Sequence, residues 1–143
     1  MLVNIVGKFG CVDFETFVES LRTNQYIKRG SEEEAKLGVA YSRVLNNMPC
    51  RASNGSAGYD IITPIDLHLK PNEGVIVPTG LVSEIENGWV LFIMPRSGLG
   101  FKYGVRLMNT VGVIDSDYRG QILLKITAEE ETTISAVSPG LGL

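Results

Sequence analysis

From about residue 57 onward the chain is a series of short apolar or alternating runs: YDII, IDLHL, VIVP, LVSEI, WVLFIM, QILLKI and TTISAV. Turn-forming clusters separate them: PNEG, PTG, ENG, SGLG and SPG. A two-residue period puts alternate side chains on one buried face, and Gly, Pro and Asn end such runs by turning the backbone. The pattern predicts an all-β unit of short strands, a sandwich or barrel. Pro78 and Pro95 should stand at strand ends, because proline lacks the N–H that a ladder needs. No helical repeat fits between these runs, which argues against a parallel βαβ sheet.

The first third has a different period. In VDFETFVESLRTN, Phe14, Phe17, Val18 and Leu21 fall at i, i+3, i+4 and i+7, one face of a helix with Asp13 as its N-cap. Ser31 and Glu34 have capping-box spacing and open a second short helix, which Gly38 should end. VAYSRVL, beyond it, reads as a strand. Residues 1–38 are therefore expected to form a helical N-terminal extension or arm, and residues 39–143 the β domain. There is no internal repeat and no low-complexity tract.

Composition narrows the function classes. The chain has 143 residues, 44% apolar and 20% charged, with net charge -3. That length suits one domain with a proper core. The charge lacks the basic footprint of a nucleic-acid binder, so no nucleic-acid polymer is expected as partner. No apolar run approaches the roughly 20 residues of a membrane helix, and MLVNIVGKFG lacks the basic flank of a signal peptide. Cys11 and Cys50 have no CxxC spacing and read as free thiols of a reducing intracellular compartment, cytoplasmic or nuclear. The one histidine, His68, falls on the polar face of IDLHLK, where it reads as solvated. Catalysis, if any, would rest on carboxylates and arginines.

Three polar stretches interrupt the strand pattern. GSAGYD spans 55–60, PRSGLG spans 95–100, and GVIDSDYRG spans 112–120. Each read alone could be a turn. PRSGLG also carries a guanidinium, a hydroxyl and free backbone N–H groups at the start of a helical turn, the donors an anion needs. In GVIDSDYRG two carboxylates and a phenol close a buried run, a costly arrangement unless something there uses the charge.

In this order the stretches resemble the motifs of the trimeric all-β dUTPases: AGYDI at 57–61, PRSGLG at 95–100 and NTVGVIDSDYRGQI at 109–122. The resemblance covers about residues 48–127. It implies a dUTPase-like jelly-roll or β-barrel fold, a homotrimer, and hydrolysis of dUTP to dUMP and pyrophosphate. It assigns Asp115 as the base that activates water and contacts the deoxyribose 3′-hydroxyl. Asn109 would read the uracil edge, and Gly112, Val113 and Ile114 would offer backbone contacts to base and sugar. Tyr118 would lie under the deoxyribose and exclude a 2′-hydroxyl. Arg96, Ser97 and Gly98 would hold the phosphates bound at a neighbouring subunit, with Asp60 in the phosphate and metal network. Asp117 and Arg119 would pair near the hairpin tip. Mg²⁺ would arrive on the substrate phosphates, with no direct protein ligand.

Elementary chemistry agrees with such roles. Cleavage between α and β phosphates needs a placed water, a base, and positive charge on the leaving pyrophosphate; a carboxylate can be that base. The resemblance is incomplete after QILLKITAEEETTISA. The family's GxRIAQ and RGxxGFGSTG are not found, and the chain reads VSPGLGL. Three readings follow: a dUTP diphosphatase that is C-terminally incomplete and slow, a non-catalytic nucleotide-binding or protein-interaction module on the same scaffold, and the related dCTP deaminase branch. The tyrosine in IDSDYRG favours the first over the last.

Overall fold

The computed structural model describes residues 7–28, 30–35 and 37–136, and the backbone of 139–142. Most of the apolar N-terminal run lies outside the described residues, as do Val137, Ser138 and Leu143. Each of the seven runs read as strands from residue 57 onward contains one: β2 (Asp60–Ile62), β3 (Leu67–Leu69), β4 (Val75–Pro78), β5 (Leu81–Ile85), β6 (Leu91–Pro95), β9 (Leu123–Thr127) and β10 (Thr132–Ile134). Pro78 and Pro95 end β4 and β6, as their missing N–H groups require. Four further strands complete the set: β1 (Gly7–Cys11), β7 (Arg106–Leu107), β8 (Gly112–Ile114) and β11 (Pro139–Gly142).

All the strand pairs are antiparallel. They make four sheets, ordered β1-β5, β10-β3, β4-β9-β7 and β2-β11-β6-β8. Among the described residues no sheet closes on itself, so the barrel expectation gives way to open sheets around a shared core. Alternation sets the inward faces: Leu67 and Leu69 of β3, Leu124 and Ile126 of β9, and Ile93 of β6 are buried.

The helical segment is longer than its sequence reading. α1 (Phe14–Thr23) starts where expected, with the Asp13 carboxylate accepting from the Thr16 N–H at 2.7 Å. Phe17, Val18 and Leu21 are buried; Phe14 rests edge-on against Tyr41 with ring centroids 5.4 Å apart. α2 (Glu32–Ala35) uses half of the capping box. The Glu34 N–H donates to Ser31 Oγ at 3.3 Å, but the Glu34 carboxylate turns to Arg22 at 2.5 Å and to the Gly30 N–H at 3.2 Å.

VAYSRVL is not a strand. It lies within α3 (Leu37–Asn46), and Gly38 is an exposed residue of that helix rather than its end. Leu37, Ala40 and Val44 recur at i, i+3 and i+7 and are buried, so the helical period outweighed β-branched propensity. The helical turn expected at PRSGLG runs on as a full helix, α4 (Ser97–Tyr103), between β6 and β7. The helices share the strands' core. At Gly80, which holds φ +73° in the β4–β5 turn, a Cβ would come within 2.8 Å of Val44.

Candidate active site

Strands β6 and β8 carry most of the chemistry. They pair in the register Leu91↔Ile114, Phe92↔Val113 and Ile93↔Gly112. Gly112 is buried, and a Cβ there would come within 3.3 Å of Ile93, so the close crossing needs the missing side chain. After Ile114 the chain turns through Asp115 to Gly120. The Tyr118 N–H donates to the Asp115 carbonyl at 3.1 Å, and the Tyr118 hydroxyl donates to the Gln121 carbonyl at 2.8 Å. The Gln121 side chain in turn accepts from the Gly80 N–H at 2.9 Å, which ties the turn to the β4–β5 corner.

Arg119 does not pair with Asp117. Its guanidinium donates to the carbonyls of Ser116 at 2.6 Å, Tyr118 at 3.2 Å and Ser83 at 3.4 Å. All three contacts are made by Nη1, to two carbonyls of the turn and one of β5, whereas an exposed ion pair contributes little. At the root of the same corner Lys8, 2.9 Å away, holds the Glu84 carboxyl below its usual range, with Arg119 adding to the effect.

The assigned nucleoside residues come together. Asn109, Gly112, Val113 and Ile114 line a cleft of about 460 Å³ with Leu107, Met108, Leu123, Leu124 and Lys125, within the ordinary range for small-ligand sites. Asn109 is exposed at its edge; Thr110, at φ +66°, bends the chain between β7 and β8. Asp115 and Tyr118 do not line the cleft. They follow it directly in the chain, both exposed.

The assigned phosphate residues lie elsewhere. Arg96 and Ser97, at the start of α4, line a second cleft of about 380 Å³ with Phe101, Arg106 and Glu129. Gly98 is exposed on the same helix. Arg96 Nε stands 3.7 Å from Asp60 Oδ1, and Asp60 is bridged through its backbone to Cys50. The sequence reading missed Arg106, Phe101 and Glu129; an arginine next to the buried Leu107 was the available signal.

Asp115 and Arg96 lie toward opposite ends of β6. Continued by one residue, the β6–β8 register sets Asp115 across from Val90, whereas Arg96 follows Pro95. Five to six residues of strand span roughly 17–20 Å. The outward face between them is apolar and uncovered: Val90, Phe92, Met94 and Val113 are each 42–58% exposed. Among the described residues no three His, Cys, Asp or Glu side chains converge to hold a metal ion.

Comparison with known proteins gives the context of this geometry. The dUTPase family model matches residues 46–138. A deoxyuridine 5′-triphosphate nucleotidohydrolase of Paraburkholderia phytofirmans is 44% identical over 100 residues, 68% of this chain and 68% of that one. The enzyme of that name from Finegoldia magna is 45% identical over 94 residues, 63% of this chain and 66% of the relative. Among solved structures, a dUTPase from Streptococcus mutans superposes with a TM-score of 0.61 at 29% identity, covering 68% of this chain and 82% of the other. A mutant dUTPase from phage phi11 of S. aureus, described as coordinating a structural Mg(II) ion, gives a TM-score of 0.53 at 30% identity, over 58% of this chain and 53% of that one. The fold is the dUTPase fold, mostly strands, with α1 and α2 and nearly all of α3 preceding the matched region. The chain belongs to the dUTPase family.

Proposed function

We infer that this protein hydrolyses dUTP to dUMP and pyrophosphate. Its relatives are nucleotidohydrolases of deoxyuridine triphosphate by name. The observation that carries the reading within this chain is the nucleoside-sized cleft bordered by Asn109 and Gly112–Ile114, with Asp115 following at once.

The mechanism follows from these positions. Uracil enters the cleft, where the Asn109 amide and the backbone of Gly112–Ile114 answer its polar edge. A pyrimidine with the opposite donor and acceptor pattern leaves those groups unpaired, which is the stronger form of discrimination. Tyr118 packs its ring under the deoxyribose and leaves no room for a 2′-hydroxyl. The Asp115 carboxylate takes a proton from water as the water attacks phosphorus. Arg96 and Ser97 donate to the leaving phosphates, with Asp60 steadying the guanidinium. Mg²⁺ would be held through the substrate phosphates and would supply positive charge to the leaving pyrophosphate.

We propose further that three copies build three such sites. Asp115 and Arg96 of one chain are roughly 17–20 Å apart along β6. An arginine side chain cannot close that gap to the same α–β linkage, so base and phosphate clamp come from different copies. The uncovered strip of Val90, Phe92, Met94 and Val113 offers the apolar surface that a second copy would cover.

The test is pyrophosphate release from dUTP, dCTP, dTTP and UTP, with and without Mg²⁺. Turnover of dUTP well above the other three is expected. Binding of dUTP without pyrophosphate release would instead mark a binding module.

A further inference from the structure

β9 alternates cleanly: Leu124 and Ile126 point into the core, while Leu123 and Lys125 are exposed. Both exposed residues line the 460 Å³ cleft beside Asn109 and Gly112, as does the neighbouring Leu124. Lys125 is therefore a cation on the wall of a cleft otherwise walled by Leu107, Met108, Val113, Ile114 and Leu123.

Its place is fixed twice. The Met108 N–H donates to the Lys125 carbonyl at 2.9 Å, which sets the lysine beside the residue preceding Asn109. Its stem crosses Gly74 closely: a Cβ on that glycine would come within 3.0 Å of Lys125 Cε. Among the described residues no carboxylate forms an ion pair with Lys125. A lysine on an exposed strand face usually ends in water. Here the stem is laid against Gly74 while the residue lines a cleft of nucleoside size.

We propose that Lys125 is a base-reading residue: its ammonium donates a charge-assisted hydrogen bond to a carbonyl oxygen of the uracil held in this cleft. The inference rests on the reading of the cleft as the deoxyuridine site. Lysine offers three donors and no acceptor, so it can answer a pyrimidine carbonyl but not an exocyclic amino group. A hydrogen bond to a charged donor in a partly apolar wall is stronger than a neutral one. The contact exists in the bound ground state as well as in the transition state, so it should act on binding more than on turnover.

The experiment compares wild type, Lys125→Met and Lys125→Arg. Affinity for deoxyuridine, which has no phosphate, is measured by calorimetry, and KM and kcat for dUTP by pyrophosphate release. Methionine keeps the apolar stem and removes the donor. Lys125→Met should weaken deoxyuridine binding and raise the dUTP KM by the same factor, about tenfold or more, with kcat little changed. Lys125→Arg should stay within a few-fold of wild type, which separates lost donation from lost folding. Unchanged deoxyuridine affinity in Lys125→Met would overturn the proposal. So would a loss seen with dUTP alone, because the ammonium would then serve the phosphates. If wild-type protein turns over dUTP yet deoxyuridine fails to compete at this cleft, the site reading fails and this inference with it.

Discussion

Asp115 and Tyr118 sit on one turn yet are held very differently. Asp115 lends its carbonyl to the turn and leaves its carboxylate exposed, whereas Tyr118 is anchored at its hydroxyl by the Gln121 carbonyl. A free carboxylate suits a base that must meet water, and an anchored ring suits a steric gate. Asp115→Asn should therefore lower kcat by about 10²-fold or more while dUMP affinity is retained, since the amide keeps the shape and cannot take the proton. Tyr118→Ala should narrow the gap in kcat/KM between dUTP and UTP. Tyr118→Phe, which keeps the ring and loses only the anchor, should preserve most of it. A parallel loss in both variants would assign the selectivity to the hydroxyl's hold on the turn. These residues were visible in the sequence because a motif of fixed spacing carries its own chemistry. The Arg119 contacts were not. The resemblance implied Asp117 as its partner, and only the folded chain shows two carbonyls of the turn and one of β5 within reach.

The helices and strands differ in how openly the sequence announces them. Alternation with proline and glycine stops located the seven strands from β2 to β6 and at β9 and β10. α3 was misread because GVAYSRVL has β-branched residues and a glycine, and a run of that length satisfies both periods. Tertiary burial of Leu37, Ala40 and Val44 decided the matter. α1 was legible from its cap and its face, and both can be tested. Phe17 is fully buried, and Phe17→Ala should destabilise the protein by about 3–5 kcal/mol, read from denaturant midpoints. The Asp13 carboxylate accepts the Thr16 N–H, which holds its pKa below the usual value. A depressed folded-state pKa contributes stability above the unfolded value, roughly 3.9, and loses it as pH falls through the folded value. Asp13→Ala should thus melt a few degrees below wild type at neutral pH, and the difference should fade as the pH is taken below about 4. A difference independent of pH would mean that the carboxylate is not the cap.

At the scale of the whole molecule, the single chain carries two clefts, one followed in the chain by Asp115 and one lined by Arg96, which the proposed function takes as half-sites. How far Asp115 stands from Arg96 was not legible in the sequence, because motif order says nothing about distance along β6. The register of β6 with β8 supplies it. A charged residue in the apolar strip, such as Phe92→Glu, should reduce the mass seen by light scattering and remove turnover together. The most direct measurement mixes two inactive variants. Asp115→Asn keeps the phosphate clamp, and Arg96→Ala keeps the base. Each alone should release pyrophosphate at a small fraction of the wild-type rate. Co-refolded in equal amounts, random assembly into closed rings should pair an intact Asp115 with an intact neighbouring Arg96 at about a quarter of the sites. Recovery of about a quarter of wild-type turnover is expected. A mixture no more active than its two components would contradict the shared site and leave each chain to work alone.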